Sequence, residues 1–450
     1  MSSSDESTRD SQTLTNRTTR RQFLSLLGAA TTIAAVAPSA FADGKDGHDD
    51  DHDHDHGGGK PGKAVARYVY VGTYTAPNVA PGGVVPSMAT GIYVFKMDPR
   101  DGGLDSVQVV DTPNPSFLAI DPTNQFLYST NELGPGQIPV TTSGNGGFSA
   151  WKINQANGNL SPLNNVDSDG TFPAHLSVHP SGKYLLGSNY GTGNFPIYQI
   201  MGNGSIGTMT DVFQDEGNGT GPNPARQEGP HAHMILTDPS QGHVFGVDLG
   251  ADQVMAWDFD LTTGKLTPGT VPHANVASGS GCRHMVFHPT KNFAYVIDEL
   301  VSSVTAFSFD PTRGAFIWIQ TISTLPPKFT GTSTCAEIRI HPSGKWVYGT
   351  NRGHNTVVVY EVDQKTGMLD VVEWESTRGA IPRGMNIDPS GTFLYAGNQN
   401  SDSIAVFRIN QFSGELNFSE RVHTPVPVDI EFGPQVGSGP IPVPISPTRP

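Results

Sequence analysis

The sequence has 450 residues, of which 52 are glycine and 36 are proline, and 36% of its residues are hydrophobic. A chain of this kind favours one large all-β domain, in which turns separate many short strands, over several α/β domains. Its formal charge of −15, with only 27 Lys and Arg, would repel phosphate backbones and anionic lipid, so nucleic acid is excluded as the expected partner.

The N-terminal segment carries an export signature. A twin-arginine motif at residues 19–24 is followed by an apolar run to about Val36 and by the small-residue cleavage pattern of residues 40–42. The apolar run is shorter than the roughly 20 residues that a membrane-spanning helix needs. We therefore expect residues 1–42 to be a removable signal read by the twin-arginine export machinery, and the protein to act in the periplasm or outside the cell without a stable membrane anchor.

The next segment, residues 43–66, alternates Asp and His between Asp46 and His56 and ends in glycines. Such a tract can capture Zn²⁺, Cu²⁺ or Ni²⁺ loosely. A disordered acidic linker is the favoured interpretation, because no fixed ligand geometry is apparent. Any metal bound here would be incidental to catalysis.

From Arg67 onward one unit recurs: an apolar strand ending in Asp-Pro or His-Pro, a turn such as Ser-Gly-Lys, a second strand, a polar loop and a third strand. The prolines that close the first strand recur at intervals of 47 to 59 residues, which is typical of four-stranded propeller blades. They are Pro122, Pro180, Pro239, Pro289, Pro342 and Pro389. A β-sandwich or two smaller barrels would not produce so even a repeat.

Residues 68–74 look like the second strand of a blade without a first strand before it, and residues 426–432 look like the missing partner. Their pairing would close the ring without leaving a free edge. The sequence thus predicts an all-β, seven-bladed β-propeller over residues 67–433, followed by a disordered Pro-rich tail over residues 434–450. Cys282 and Cys335 precede the inner strands of neighbouring blades, so a disulfide between them is conceivable but geometrically demanding.

Polar residues stand four and five positions before the Asp or His that precedes each proline, where the inner strand begins. The starts of inner strands converge on one mouth of a propeller's central channel, so we interpret these residues as a candidate site. They are His175, His233, Arg283, His284, Glu337 and Arg383. The alternative is that they only bind water or tie adjacent blades together. The loops between second and third strands should open on the same mouth, among them residues 189–191, 298–300 and 351–353.

The segment 223–233 departs from the repeat and places Arg226, Glu228, His231 and His233 before the fourth inner strand. Two histidines and a glutamate can ligate a metal ion. No further ligand motif lies nearby, so a site without metal is preferred.

Several motifs together resemble the seven-bladed lactonase family, which includes 6-phosphogluconolactonase and 3-carboxy-cis,cis-muconate lactonizing enzyme. The resemblance extends from about Tyr68 to Phe432. The motifs that carry it are Pro-Ala-His-Leu at 173–176, Arg-Gln-Glu-Gly-Pro-His-Ala-His at 226–233, Gly-Cys-Arg-His-Met at 281–285, Ala-Glu-Ile-Arg-Ile at 336–340 and Pro-Arg-Gly-Met-Asn at 382–386.

The resemblance implies a lactonase that hydrolyses a sugar-derived lactone without a cofactor. Glu228 or a nearby His would take a proton from the attacking water, Arg283 would stabilise the oxyanion, and Arg383 or Arg339 would hold an anionic substituent. The catalytic set is then Glu228, His233, Arg283 and His175, and the substrate-binding set is Arg226, His231, His284, Glu337, Arg339, Arg383 and Asn386. We expect a monomer that acts on a small lactone.

Two other functions remain open at this stage. A muconate-type cycloisomerase would use similar groups in the reverse direction, and a non-enzymatic propeller would bind a protein or a glycan outside the cytoplasm. The cluster of Arg226, Glu228 and Arg283 favours an enzyme.

Overall fold

The protein is described here from a computed structural model. The structure describes residues 65, 67–75, 79–80, 83–84, 88–135, 137, 145–217 and 221–437. The predicted export signal, the predicted linker apart from Val65, and the tail from residue 438 lie outside the described residues. Within the described ranges, no helix is long and apolar enough to cross a membrane.

The described residues form seven antiparallel sheets of four strands each, which confirms the predicted seven-bladed β-propeller. The first strands of neighbouring sheets contact one another around a complete ring. Blade 1, from the channel outward, contains β30 (Pro427–Gln435), β1 (Arg67–Thr73), β4 (Gly91–Met97) and β5 (Leu104–Asp111). Between β1 and β4 lies a small hairpin of β2 (Val79–Ala80) and β3 (Gly83–Val84).

Blades 2 to 4 follow in chain order from the channel outward. They contain β6 (Leu118–Ile120), β7 (Phe126–Asn131), β8 (Gly147–Ile153) and β9 (Leu160–Asp167); β10 (Pro173–Val178), β11 (Tyr184–Asn189), β12 (Asn194–Ile200) and β13 (Ile206–Gln214); and β14 (Ala232–Thr237), β15 (His243–Asp248), β16 (Gln253–Asp260) and β17 (Lys265–Asn275).

Blades 5 to 7 repeat the arrangement, with one 3-10 turn at Gln399–Ser401. They contain β18 (Cys282–Phe287), β19 (Phe293–Asp298), β20 (Ser303–Asp310) and β21 (Ala315–Ser323); β22 (Thr334–Ile340), β23 (Trp346–Arg352), β24 (Thr356–Val362) and β25 (Leu369–Ser376); and β26 (Pro382–Ile387), β27 (Phe393–Asn398), β28 (Ser403–Ile409) and β29 (Leu416–His423).

The ring closes as predicted, because β1 pairs antiparallel with β30 and Val71 lies opposite Ile430. The last strand runs to Gln435, two residues beyond the predicted end of the propeller. Blade 1 is thus built from both ends of the domain, which leaves no unpaired inner edge in the ring.

The Asp-Pro turn is held by the aspartate side chain. Asp388 Oδ1 accepts hydrogen bonds from the backbone N–H groups of Thr392 and Phe393, each at 2.7 Å. In blade 6, where histidine replaces aspartate, His341 Nε2 also lies 2.9 Å from the carbonyl oxygen of Gly391 in the next blade. The repeated dipeptide therefore fixes where each inner strand ends and its turn begins.

A second repeated device joins neighbouring blades. In five blades a buried tyrosine of the second strand donates its O–H to a glycine carbonyl in the outer turn of the next blade. The pairs are Tyr70 to Gly158, Tyr128 to Gly204, Tyr295 to Gly367, Tyr348 to Gly414 and Tyr395 to Gly102. An aromatic ring two residues earlier lies against the same glycine; Trp346, for example, would meet a Cβ at Gly414 within 2.4 Å. These glycines also have positive φ, so each turn needs glycine for two reasons.

Both cysteines are free and buried, so the disulfide considered above does not form. Cys282 Sγ lies 3.1 Å from the carbonyl oxygen of Asp248, and Cys335 Sγ lies 2.8 Å from that of Asp298. Each thiol faces the preceding blade. The two side chains therefore tie separate pairs of blades and do not face each other.

Candidate active site

A cavity of about 490 Å³ opens at the mouth where the inner strands begin. Three sources supply its wall: the starts of inner strands, the loops after second strands, and the link before blade 4. The lining residues are Glu132, Ala174, Tyr190, Ala225, Arg226, Glu228, His231, His233, Glu299, Thr334, Arg352 and Arg383. Blades 3 and 6 each contribute both a strand start and the loop after the second strand, whereas blades 4 and 7 contribute a strand start and blade 5 a loop.

A β-bulge lies at the start of each inner strand in blades 3 to 7. In blade 4, Ala232 pairs with Asp248 and Met234 pairs with Val247, so His233 is an extra residue without a partner in the ladder. The same irregularity leaves Arg283 and Arg383 as extra residues in blades 5 and 7. A bulge breaks the in–out alternation of a strand and re-aims the extra side chain.

Glu299 is the centre of a cluster of ion pairs on one side of the cavity. Its Oε1 lies 2.8 Å from Arg226 Nη2, and its Oε2 lies 3.1 Å from Arg283 Nε and 3.0 Å from Arg352 Nη2. Burial alone would raise the pKa of Glu299, but the guanidinium groups of Arg352, Arg226 and Arg283 outweigh it and hold that pKa well below its usual range. The three arginines therefore favour the ionised form of this carboxylate.

His233 supplies a neutral imidazole to the same cavity. Burial lowers its pKa well below 6.5, and the neighbouring Arg283 and His284 lower it further. Its Nδ1 has no hydrogen-bond partner among the described residues. A neutral imidazole can accept a proton, so His233 has the protonation state that a general base requires.

His231 and Glu228 form a pair at the rim. The His231 ring stacks on Tyr190, with centroids 4.3 Å apart and planes 13° apart. Its Nδ1 lies 2.9 Å from the Tyr190 carbonyl oxygen and its Nε2 lies 3.3 Å from Glu228 Oε1. Both ring nitrogens therefore lie beside oxygen atoms that can accept a hydrogen bond. Hydrogen bonding to its own backbone and to His231 lowers the pKa of Glu228, whose side chain is 59% exposed.

The opposite wall is formed by blades 1, 2 and 7. Tyr74 donates its O–H to Glu132 Oε2 at 2.7 Å, and the Arg383 guanidinium lies 5.2 Å from the centroid of the Tyr74 ring. Arg383 is only 8% exposed, yet among the described residues it has neither a hydrogen bond nor an ion pair. This wall therefore presents a buried cation whose hydrogen-bond donors are unused.

Arg283 was expected in the cavity, but it is not among the residues that line it. Its Nε pairs with Glu299 and its Nη1 donates to the carbonyl of Ala336 at 2.7 Å. It lies behind Glu299 and pairs with that carboxylate, so the arginines that line the cavity are Arg226, Arg352 and Arg383. Arg283 is the extra residue of the bulge in blade 5, and its side chain lies in the space between blades 5 and 6.

Five other predicted residues lie outside this cavity. His284 lies deeper in the channel, with its ring 5.1 Å from that of His233 and 5.5 Å from that of His175. Below it, Glu337 binds His284 Nδ1 and Arg339 Nη1, both at 3.1 Å. A smaller cavity of about 250 Å³ farther along the channel is lined by His175 and Arg339 among others. Asn386 Nδ2 donates a hydrogen bond to the carbonyl oxygen of Ile430 at 2.8 Å.

Sequence reasoning placed Arg226, Glu228, His231, His233 and Arg383 at the site, and the structure brings these five together. Tyr190, Glu299 and Arg352 also line the cavity and lie in loops that were expected at this mouth, but they were not named as site residues, and Glu132 was not expected at all. A signal for two of them was present, because Glu132 and Glu299 occupy the same position after the second strand in the similar loops Asn-Glu-Leu and Asp-Glu-Leu. In the part of the chain that the structure describes, no three His, Cys, Asp or Glu residues are arranged to hold a metal ion.

Comparison with known families decides what this architecture belongs to. The family described as lactonase, 7-bladed beta-propeller, matches residues 68–432. The chain belongs to this lactonase family. The expected resemblance, and with it the assignment to the lactonases as carboxylic-ester hydrolases, is confirmed.

Several other proteins, some of them with solved structures, are similar to this lactonase. It is 35% identical over 321 residues to a 6-phosphogluconolactonase of Bacillus subtilis, covering 71% of this chain and 84% of the relative. It is 30% identical over 302 residues to one of Formosa agariphila, covering 66% and 82%. Among solved structures, the periplasmic gluconolactonase of Pseudomonas aeruginosa superposes with a TM-score of 0.74 and 27% identity, covering 82% of this chain and 99% of that chain.

Proposed function

We propose that this lactonase hydrolyses the ring ester of a sugar-derived lactone in the 490 Å³ cavity. The observation that carries the proposal is that a neutral imidazole, His233, and three guanidinium groups line one cavity. Lactone hydrolysis needs a base for the attacking water and positive charge for the oxyanion that forms at the carbonyl carbon.

The reaction follows from the groups present. Water adds to the lactone carbonyl while His233 takes one of its protons, and the guanidinium groups of Arg226 and Arg352 stabilise the tetrahedral oxyanion. The intermediate then collapses, the bond from the carbonyl carbon to the ring oxygen breaks, and the proton on His233 passes to that oxygen. The product is an open-chain hydroxy acid, which loses a proton to solvent. Glu228 is a weaker candidate for the base because it is exposed and its pKa is lowered.

The substrate class follows from the relatives. They include proteins named 6-phosphogluconolactonase and a periplasmic gluconolactonase, so both phosphorylated and free aldonolactones are candidates. We also propose that the twin-arginine machinery exports this lactonase as a monomer. Replacing Arg20 and Arg21 by Lys should retain the protein in the cytoplasm, as measured by cell fractionation; unchanged export would rule out this route.

The function is tested by acid release from a panel of phosphorylated and free δ- and γ-lactones, followed with a pH indicator and corrected for spontaneous hydrolysis. His233→Gln should lower kcat by about 10²- to 10⁴-fold, the range for loss of a general base. His273→Gln is the matched control, because His273 is exposed on the outer strand of blade 4. No turnover on any lactone, or full activity in His233→Gln, would contradict the proposal.

A further inference from the structure

Glu299 is buried, faces the cavity and binds three arginines from three different segments of the chain. We propose that Glu299 is a positioning residue, which holds Arg226 and Arg352 on the cavity wall so that their free N–H groups act on the lactone together. A test of this role by enzyme kinetics rests on the proposed function, whereas a test by ligand binding does not.

The segments that Glu299 joins are far apart in the sequence. Arg226 lies in the link before blade 4, Arg283 in the inner strand of blade 5, and Arg352 at the end of the second strand of blade 6. Each guanidinium forms an ion pair with the Glu299 carboxylate, at 2.8, 3.1 and 3.0 Å respectively. The contact from Arg226 Nη2 to Oε1 is also a hydrogen bond, and a charge-assisted bond of this kind adds geometric specificity as well as energy.

Arg226 and Arg352, the two of these arginines that line the cavity, each have an N–H group that is not hydrogen-bonded to the described residues. Arg226 uses Nη2 for Glu299 and Nε for the Tyr190 hydroxyl at 3.2 Å. Arg352 uses Nη2 for both Glu299 and the carbonyl of Cys335 at 2.8 Å. Neither Nη1 group has a hydrogen-bond partner among the described residues. Glu299 therefore contacts the Nη2 atom of each guanidinium and leaves the Nη1 atom to bind a ligand.

Among the described residues, no other carboxylate could neutralise the three arginines in place of Glu299. Three guanidinium groups share a single carboxylate, because within the described residues no other carboxylate forms an ion pair with any of the three. Glu132 is bonded to Tyr74, and Glu228 is paired with His231. Without the Glu299 charge, the arginines would repel one another in a buried setting, and their side chains would leave the geometry that faces the cavity.

Glu299 is unsuited to proton transfer itself, because the same guanidinium groups hold its pKa well below the usual range. Its effect on catalysis must therefore pass through the arginines. Residues that act as one unit show strongly non-additive losses when they are changed together. This non-additivity separates a positioning role from an independent contact with substrate.

The test is a double-mutant cycle on the mature protein with Glu299→Gln and Arg352→Ala. Each single variant should lower kcat/KM by about 10²-fold, the loss expected for one oxyanion donor, mainly through kcat. The double variant should lose little more than either single variant. Glu299→Asp, which keeps the charge, should recover part of the activity. Glu373→Gln is the control, because this carboxylate lies on the outer strand of blade 6, away from the cavity.

Folding is checked by circular dichroism. Should Glu299→Gln fail to fold, the cycle is run with Glu299→Asp and Arg226→Gln, since the Arg226 side chain is already 31% exposed. Losses that multiply in the double variant would overturn the positioning role in either cycle, as would a Glu299→Asp variant no more active than Glu299→Gln.

Binding of D-gluconate, measured by calorimetry, separates this inference from the proposed function. A wild-type protein that hydrolyses no lactone refutes the function, but the same cycle can then be read from D-gluconate affinity. Weaker binding in Glu299→Gln, with no further loss in the double variant, supports positioning. Equal D-gluconate binding by wild type and Glu299→Gln refutes it.

Discussion

The unused cation of the opposite wall, Arg383, yields the sharpest prediction about substrate class. Arg383 is 8% exposed, lines the cavity and has no hydrogen bond or ion pair within the described residues. Arg383→Met keeps most of the side-chain length and removes the charge and the donors. Because no protein carboxylate is left unpaired by the change, the fold should be little affected.

The expected loss of kcat/KM in Arg383→Met follows from the hydrogen bond between Arg383 and an anionic substituent of the substrate, which the variant cannot form. A hydrogen bond to a charged group contributes about 1.5–3 kcal/mol, which corresponds to roughly a 10- to 150-fold change in kcat/KM at 1.4 kcal/mol for each factor of ten. A lactone without an anionic group makes no such bond, so its kcat/KM should change by less than about threefold by the same reasoning.

The assay compares kcat/KM for 6-phosphoglucono-δ-lactone and glucono-δ-lactone in the wild type and in Arg383→Met. The control is Arg408→Met, because Arg408 also lies over an aromatic ring, that of Phe393 at 4.5 Å, but is exposed outside the cavity. A loss confined to the phosphorylated lactone would assign Arg383 to the anion. Equal losses on both lactones, or a loss confined to the free lactone, would refute this reasoning.

Three more predictions concern the base, the blade contacts and the thiols. Because burial lowers the pKa of His233 well below 6.5, the base stays unprotonated as the pH falls, and kcat/KM should hold its value at pH 6.5; half-loss at or above that pH would contradict it. Tyr348→Phe leaves the Gly414 carbonyl without its donor and should cost about 1–3 kcal/mol of unfolding free energy in urea titrations, so an unchanged midpoint would show that this bond is dispensable. Burial raises the pKa of Cys282 and Cys335; neither should react with Ellman's reagent until guanidinium unfolds the protein, and rapid labelling of the native state would disprove their burial.

Local patterns were sufficient to predict the propeller. Each Asp-Pro or His-Pro turn is specified by neighbouring residues, as Asp388 shows by capping the turn that follows it. The repeat recurs at blade length, and the half-units at 68–74 and 426–432 predicted the closing pair of strands. Such features depend on interactions within one blade or on simple counting, so they can be read from a single sequence.

Only the tertiary structure decided which polar side chains share the cavity. Strict alternation along an inner strand cannot show where His233, Arg283 and Arg383 point, because a bulge at each of these positions interrupts the alternation. The pairing of Glu299 with arginines from three segments likewise depends on how the blades pack. The sequence by itself determined the fold and the mouth at which the cavity opens. The three-dimensional packing of buried charges, which must find partners across the chain, decided that Arg283 lies behind Glu299 while Arg352 and Arg383 face the cavity.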